Sequence, residues 1–217
     1  MCTCGILGQA VGTAAAIAAS HGSSPRGVYE KHLGELRQAL LDDDCFIPGA
    51  VREVPAAVRA AALTCSDSAA SGLENLRCGY DRPVGGGKGD GASIPLGASV
   101  EYAFASPQPL SAIRIVFDSD LNRFDSHKRN AFSNYALVRE RLEMPAPLVR
   151  DFRVEVRDAA TGEWRVVADI RDNRRRLVKI AAPILGCGAV APRVSALRLV
   201  PLRLWGAGAS AHIFAFD

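Results

Sequence analysis

Asp118 and Asp120 can pair as carboxylates, one giving and one taking a proton. They follow the strand-like run 112–117, where turn formation explains them equally well. Hydrolytic chemistry has less to work with, because no G-x-S-x-G, no H-E-x-x-H and no helpfully spaced Cys/His pair occurs. The four histidines (His21, His32, His127 and His212) are scattered. His32 lies beside the apolar stripe of a helical segment and reads as a boundary residue. His212 alternates with Ile213 and reads as a solvent-side or loop-facing group. Of the six cysteines, Cys2 and Cys4 bring two thiols close together, which is half of a metal site without distant partners. No C-x-x-C occurs, and Cys45, Cys65, Cys78 and Cys187 read as buried or unpaired thiols, with disulfides left open. This reading assigns no catalytic residue and no metal ligand.

Sugar recognition asks for something simpler: an exposed aromatic face with polar groups beside it. Trp205, Tyr80, Tyr102 and Tyr135 are the candidates, the last with Arg123, Asp125 and His127 near it in sequence. Trp164 sits in an alternating strand and is expected in the core. Aromatic residues make up 6% of the chain, which leaves little material for an extended stacking surface.

The elements that must position these residues fall into two parts, 1–50 and 51–217. Residues 5–19 form a helix of small residues with almost no large side chains. The segment 21–25 breaks it, and Ser24 as N-cap with Pro25 at the first helical position starts a second helix over 26–41. Val28, Leu33, Leu36 and Leu40 give that helix one apolar stripe. It ends in Asp42, Asp43 and Asp44, acids at a C-terminus whose dipole disfavours them, so they must be solvated or paired elsewhere. A turn at 46–49 closes the unit. From about residue 52, strand-like runs appear at 99–104, 112–117, 152–157, 164–168, 177–180, 196–200 and 211–216. Phe152, Val154 and Val156 alternate with Arg153, Glu155 and Arg157, as in a half-buried antiparallel strand. The expected fold is α+β by content but mainly β: two N-terminal helices, then an antiparallel β-sandwich of jelly-roll or discoidin-like type. Two loops stand out, the polar stretch 118–147 and the glycine-rich 83–91. The latter lacks the Lys-Ser/Thr and helix of a phosphate loop and reads as a flexible connector.

With 26 basic and 23 acidic side chains the net charge is +3, too balanced for a nucleic-acid surface. The first apolar run is too short and too weakly apolar to span a bilayer. No basic residue precedes Arg26, so the positive region of a signal peptide is missing and a cytoplasmic location is favoured.

The stretch Cys4-Gly-Ile-Leu-Gly-Gln-Ala-Val-Gly-Thr-Ala-Ala-Ala16, continued by Ser24-Pro25, Leu36-Arg-Gln-Ala-Leu-Leu41 and Ile47-Pro48, resembles the carboxy-terminal portion of the bacterial FAD-dependent oxidoreductases of the glutathione-reductase-like superfamily. Ile115-Val-Phe-Asp-Ser-Asp-Leu-Asn-Arg123 and Asp172-Asn-Arg-Arg-Arg176 look like recurring stretches of a galactose-binding-like tail found in some members. The resemblance implies residues 1–50 as a helical remnant of a flavin domain, with Leu7, Gly8, Gln9 and Gly12 lining the flavin edge at a helix N-terminus. It also implies FAD as cofactor and a missing or separate flavin-domain polypeptide as partner. No G-x-G-x-x-G occurs, so such a fragment is not expected to be catalytically competent alone. The alternative is a carbohydrate- or protein-binding sandwich module. A third reading is a structural domain that covers or dimerises the parent enzyme, in which the exposed helix over 5–19 is an orphaned interface prone to self-association.

Overall fold

The computed structural model describes residues 2–121, 143–181 and 193–217. Helix α1 (Cys2–Ser20) ends where Gly22 takes positive φ, and α2 (Pro25–Lys31) begins with Ser24 Oγ accepting from the Gly27 amide at 3.1 Å. The single helix expected over 26–41 is broken at His32, which is the C-cap of α2 and the N-cap of α3 (Leu33–Asp42). Ala10, Thr13, Ala14, Ile17 and Ala18 recur at helical spacing on the partly or fully buried face of α1, which packs on α2 and α3. Ile6 and Leu7, one turn before Ala10 on that same face, and Val11 beside it are exposed.

Among the described residues, nine strands follow a short helix α4 (Ala56–Ala60), which the strand-like texture after residue 52 did not suggest. They are β1 (Ala62–Cys65), β2 (Ala92–Pro95), β3 (Val100–Pro109), β4 (Ala112–Phe117), β5 (Val149–Asp158), β6 (Trp164–Ile170), β7 (Leu177–Ala181), β8 (Arg193–Leu204) and β9 (Ser210–Phe216). One sheet has the order β1-β3-β8-β5-β6 and the other β2-β9-β4-β7, every pairing antiparallel. The protein is therefore mainly β, a sandwich of two antiparallel sheets with a few helices. Six of the seven expected runs fall within strands and the seventh, 99–104, overhangs β3 by Ser99; β1 and β2, four residues each, were too short to show a pattern.

Phe152, Val154 and Val156 are fully buried between the sheets, beside Phe117, Ile113, Ile115, Leu199, Ile213 and Phe216. Phe117 and Phe152 meet with ring centroids 4.8 Å apart. On the outer face of β5, Glu155 lies opposite Arg198 of β8 and accepts from its Nε at 2.6 Å, while the Arg198 guanidinium covers the Trp164 ring at 4.0 Å. Trp164 thus belongs to that outer face and not to the core, as its alternation had suggested.

The acidic end of α3 is paired, and its partners come from the sandwich. Arg114 of β4 donates from Nε to the Asp42 carbonyl (2.9 Å) and from Nη2 to the Leu41 carbonyl (3.2 Å), capping the helix C-terminus with a cation. The same guanidinium forks onto Asp81 at 3.0 and 2.5 Å. Arg52, buried, faces the Asp42 carboxylate at 3.6 Å and pairs with Asp217 at 2.6 Å, Lys179 pairs with Asp43 at 2.5 Å, and Asp44 takes both Arg82 (2.9 Å) and Arg176 (2.7 Å). Asp44 itself has φ +63 and closes a Schellman turn: its amide donates to the Leu41 carbonyl and that of Cys45 to the Leu40 carbonyl, each at 3.0 Å.

Candidate functional site

Two stretches that the sequence offered as punctuation, the turn at 46–49 and the glycine-rich loop, line one hollow of about 480 Å³. Phe46, Pro48 and Gly49 form one wall; Tyr80, Val84 and Lys88 are on the other. The Schellman turn at Asp44 throws Phe46 outward, where Arg82 lies over its ring at 5.5 Å and 51% of the residue stays exposed. Arg82 is held in that place by the Asp44 carbonyl and carboxylate at 2.8 and 2.9 Å.

The glycine-rich loop is built rather than slack. Gly86 and Gly87 both have positive φ and sit between the Gly85 carbonyl and the Lys88 amide that bonds to it (3.3 Å), as a type I′ turn requires. Val84 donates to the Lys88 carbonyl at 3.0 Å to complete the ladder. At Gly89 (φ +73) a Cβ would lie 2.2 Å from the Arg82 carbonyl and 2.8 Å from Tyr80 Cβ, so only glycine lets the loop close against Tyr80. The far end is pinned by Asn75, which donates to the Gly91 carbonyl at 2.8 Å, and by His212, whose Nε2 bonds the Asp90 carbonyl at 2.6 Å.

His212 is steadied in turn by Asp118, Nδ1 to Oδ2, at 2.9 Å. That bond holds the imidazole above its ordinary value against the opposing effect of burial. Burial pushes Asp118 upward, but hydrogen bonds from His212 and from the Asp120 amide (2.7 Å) outweigh it and hold the carboxyl below its ordinary value. The loop-facing reading of His212 is correct. Asp118 does make a turn, with Asp120 at φ +54, and its free oxygen goes to the histidine rather than to a carboxylate partnership.

The other aromatic candidates separate cleanly. Tyr102 is fully buried between the sheets, so it offers no platform. Trp205 is partly buried, its Nε1 donating to the Asn173 carbonyl at 2.6 Å, with the Arg150 and Arg174 guanidiniums 4.7 and 6.0 Å from the ring. Its ring is already engaged. Tyr135, Arg123, Asp125 and His127 lie outside the described residues. A second hollow of about 400 Å³ opens between the edge strands β6 and β7, lined by Ile170, Arg174, Arg175, Val178 and Lys179, and it contains no aromatic ring. Tyr80 is thus the sequence candidate that reaches an open hollow, and Phe46, which sequence reasoning passed over as part of a turn, joins it. In the 46–49 segment the legible signal was an aromatic placed just before Pro48-Gly49.

Solved structures similar to this chain include the family 32 carbohydrate-binding module of Streptococcus pneumoniae EndoD, with 15% identity over 72% of this chain and 94% of that one and a TM-score of 0.45. The family 32 module of C. perfringens NanJ, in complex with galactose, has 10% identity over 71% and 90%, with a TM-score of 0.41. An F5/8 type C domain from Bacteroides fragilis has 13% identity over 78% and 95%, with a TM-score of 0.44. No family model and no curated protein matches the chain.

These findings correct the expectation of an FAD-dependent oxidoreductase fragment: the neighbours are carbohydrate-binding modules and an F5/8 type C domain, and none of those named is a flavoprotein. The small-residue composition that carried the resemblance has a local use, since the Ala10, Ala14 and Ala18 stripe packs α1 on α2 and α3. Leu7, Gly8, Gln9 and Gly12, expected at a flavin edge, are exposed on α1. A Cβ added at Gly8 or Gly12 would meet nothing within 4 Å. The expectation of FAD and of a flavin-domain partner rested on that resemblance alone. No helix among the described residues is long and apolar enough to cross a membrane.

One further convergence was not legible at all. His21, His32 and Glu35, from the turn after α1, the α2–α3 break and the first turn of α3, bring their polar atoms together at the surface.

Proposed function

We propose that this chain is a carbohydrate-binding β-sandwich module, with the hollow between Phe46 and Lys88 as the sugar site. The observation that carries the reading is Phe46. A half-exposed aromatic ring is fixed in orientation by Arg82 at the mouth of a hollow whose opposite wall holds Tyr80 and Lys88. A sugar presents an apolar face of C–H groups and a rim of hydroxyls; the ring takes the first and the phenol and ammonium take the second. Neither the Tyr80 hydroxyl nor the Lys88 ammonium has a hydrogen-bond partner among the described residues, so both can serve a ligand. The rigid walls lower the entropic cost of binding, because the loop is fixed at both ends before a ligand arrives.

Titration calorimetry against a panel of neutral hexoses, N-acetylated hexosamines and uronic acids tests the proposal, with Phe46→Ala and Tyr80→Phe beside the parent. A sugar covering about 60 Å² of the ring at ~25 cal/mol per Å² gains about 1.5 kcal/mol, so Phe46→Ala weakens binding roughly tenfold. Flat titrations throughout the panel, or a Phe46→Ala protein that binds as well as the parent, would refute it.

A further inference from the structure

We propose that His21, His32 and Glu35 form a binding site for a divalent transition-metal ion, and that the ion is Zn²⁺. The site lies on the helical layer, away from the proposed sugar hollow, and does not rest on that reading. His21 Nε2 is 3.0 Å from Glu35 Oε2 and 3.2 Å from Oε1, and His32 Nδ1 is 3.4 Å from Oε2. All three ligand atoms fall within 4.8 Å of one another. Ligand bonds of about 2.0–2.1 Å in a tetrahedron place ligand atoms about 3.3 Å apart. The two measured edges at Oε2 bracket that separation. Two imidazole nitrogens with one carboxylate oxygen suit zinc better than the hard, oxygen-seeking calcium or magnesium, and three protein ligands leave a fourth position for water.

An ordinary surface ion pair does not account for the arrangement. One histidine suffices to pair with Glu35, and such a pair contributes only about 0–1 kcal/mol. Here a second imidazole stacks on the first, with centroids 4.1 Å apart and planes within 19°. Two imidazoles beside one carboxylate supply the donors of a zinc site, and a bound ion would turn both rings out of this stack until their lone pairs converge on it.

The backbone explains why these three meet. His21 continues the last turn of α1, its amide donating to the Ile17 carbonyl at 3.1 Å, and Gly22 at φ +57 then reverses the chain. His32 occupies the break that splits the expected single helix, its amide bonding the Val28 carbonyl and its own carbonyl accepting from Leu36, both at 2.9 Å. Glu35 stands in the first turn of α3. A bound ion would clip the end of α1 to the start of α3 across the α2 connection.

The test uses the tag-free 217-residue chain with Cys2→Ser and Cys4→Ser, stripped with chelator and titrated with ZnCl₂ and with CoCl₂. The side chains are exposed by 41% (His21), 23% (His32) and 48% (Glu35), so His21→Ala, His32→Ala and Glu35→Gln should fold, and far-UV circular dichroism checks this. We expect one equivalent of zinc per chain, a raised melting temperature, and tetrahedral Co²⁺ bands without a thiolate charge-transfer band. Each of the three substitutions should remove the saturable binding and the melting shift together. Absence of saturable zinc binding by the parent, retention of it in His21→Ala with Glu35→Gln, or a thiolate band in the cobalt spectrum would each overturn the proposal.

Discussion

Asp44 is where the helices, the sandwich and the proposed sugar site meet, and replacing it separates two opposing energies. Its left-handed backbone costs a non-glycine residue about 1–2 kcal/mol, which Asp44→Gly would recover. Against this stand two charge-assisted hydrogen bonds, to Arg82 Nη2 at 2.9 Å and Arg176 Nε at 2.7 Å. Bonds of this type contribute about 1.5–3 kcal/mol each, and the lower end applies to Arg82, whose side chain is 26% exposed. Losing both costs about 3–4 kcal/mol, and subtracting the relieved strain leaves Asp44→Gly less stable by about 2 kcal/mol. Asp44→Ala loses the same bonds and keeps the strain, so it should fall about 1 kcal/mol further. Urea unfolding followed by tryptophan fluorescence measures both. An Asp44→Gly protein as stable as the parent would refute the claim that the carboxylate is kept for its two guanidinium partners. So would an Asp44→Ala protein more stable than the glycine variant.

Arg114→Ala leaves Asp81 without its fork and two carbonyls of α3 without their cation, and should cost about 3 kcal/mol; Arg114→Lys restores the charge but not the planar geometry and recovers only part. A loss below about 0.5 kcal/mol in the same urea assay would count against the capping role. For the His212–Asp118 pair the pH dependence has a definite sign. The imidazole is held above its ordinary 6.5, so its contribution is complete below pH 6.5 and fades as pH rises through the folded value. The carboxyl is held below its ordinary 3.8, so its contribution is complete above pH 3.8 and fades as pH falls through the folded value. The parent should therefore lose stability above pH 6.5 and His212→Gln should flatten that loss, and an unchanged slope would rule out the pair as its source.

What was legible in the sequence followed from period and capping. Phe152, Val154 and Val156 announced their burial because strand alternation is a local property, and Ser24-Pro25 announced a helix start for the same reason. The acidic end of α3 was legible as a conflict, since three acids at a helix C-terminus demand cations. Which cations was not, because Arg114, Arg176 and Lys179 lie 70 or more residues away and only the sheet brings them there. The hollow was hidden for a similar reason. Phe46 and the glycines at 85–87 each look like connectors, and their joint use depends on Asp44, Arg82 and His212 fixing both segments. The flavin resemblance failed where a short Gly/Ala pattern was read as a ligand contact, although a stripe of alanines at helical spacing already describes a helix packed on helices.

The seam between α3 and the second sheet sets the Arg114 guanidinium on two helix carbonyls, Arg176 on Asp44 and Lys179 on Asp43, and that choice governs how the joint can fail. Greasy surfaces tolerate sliding, because one methyl replaces another at little loss. A planar fork matched to two acceptors has one good angle. The direction in which the three helices leave the sandwich is therefore keyed rather than merely glued, and shortening one of those arginines should let them swivel before it lets them go.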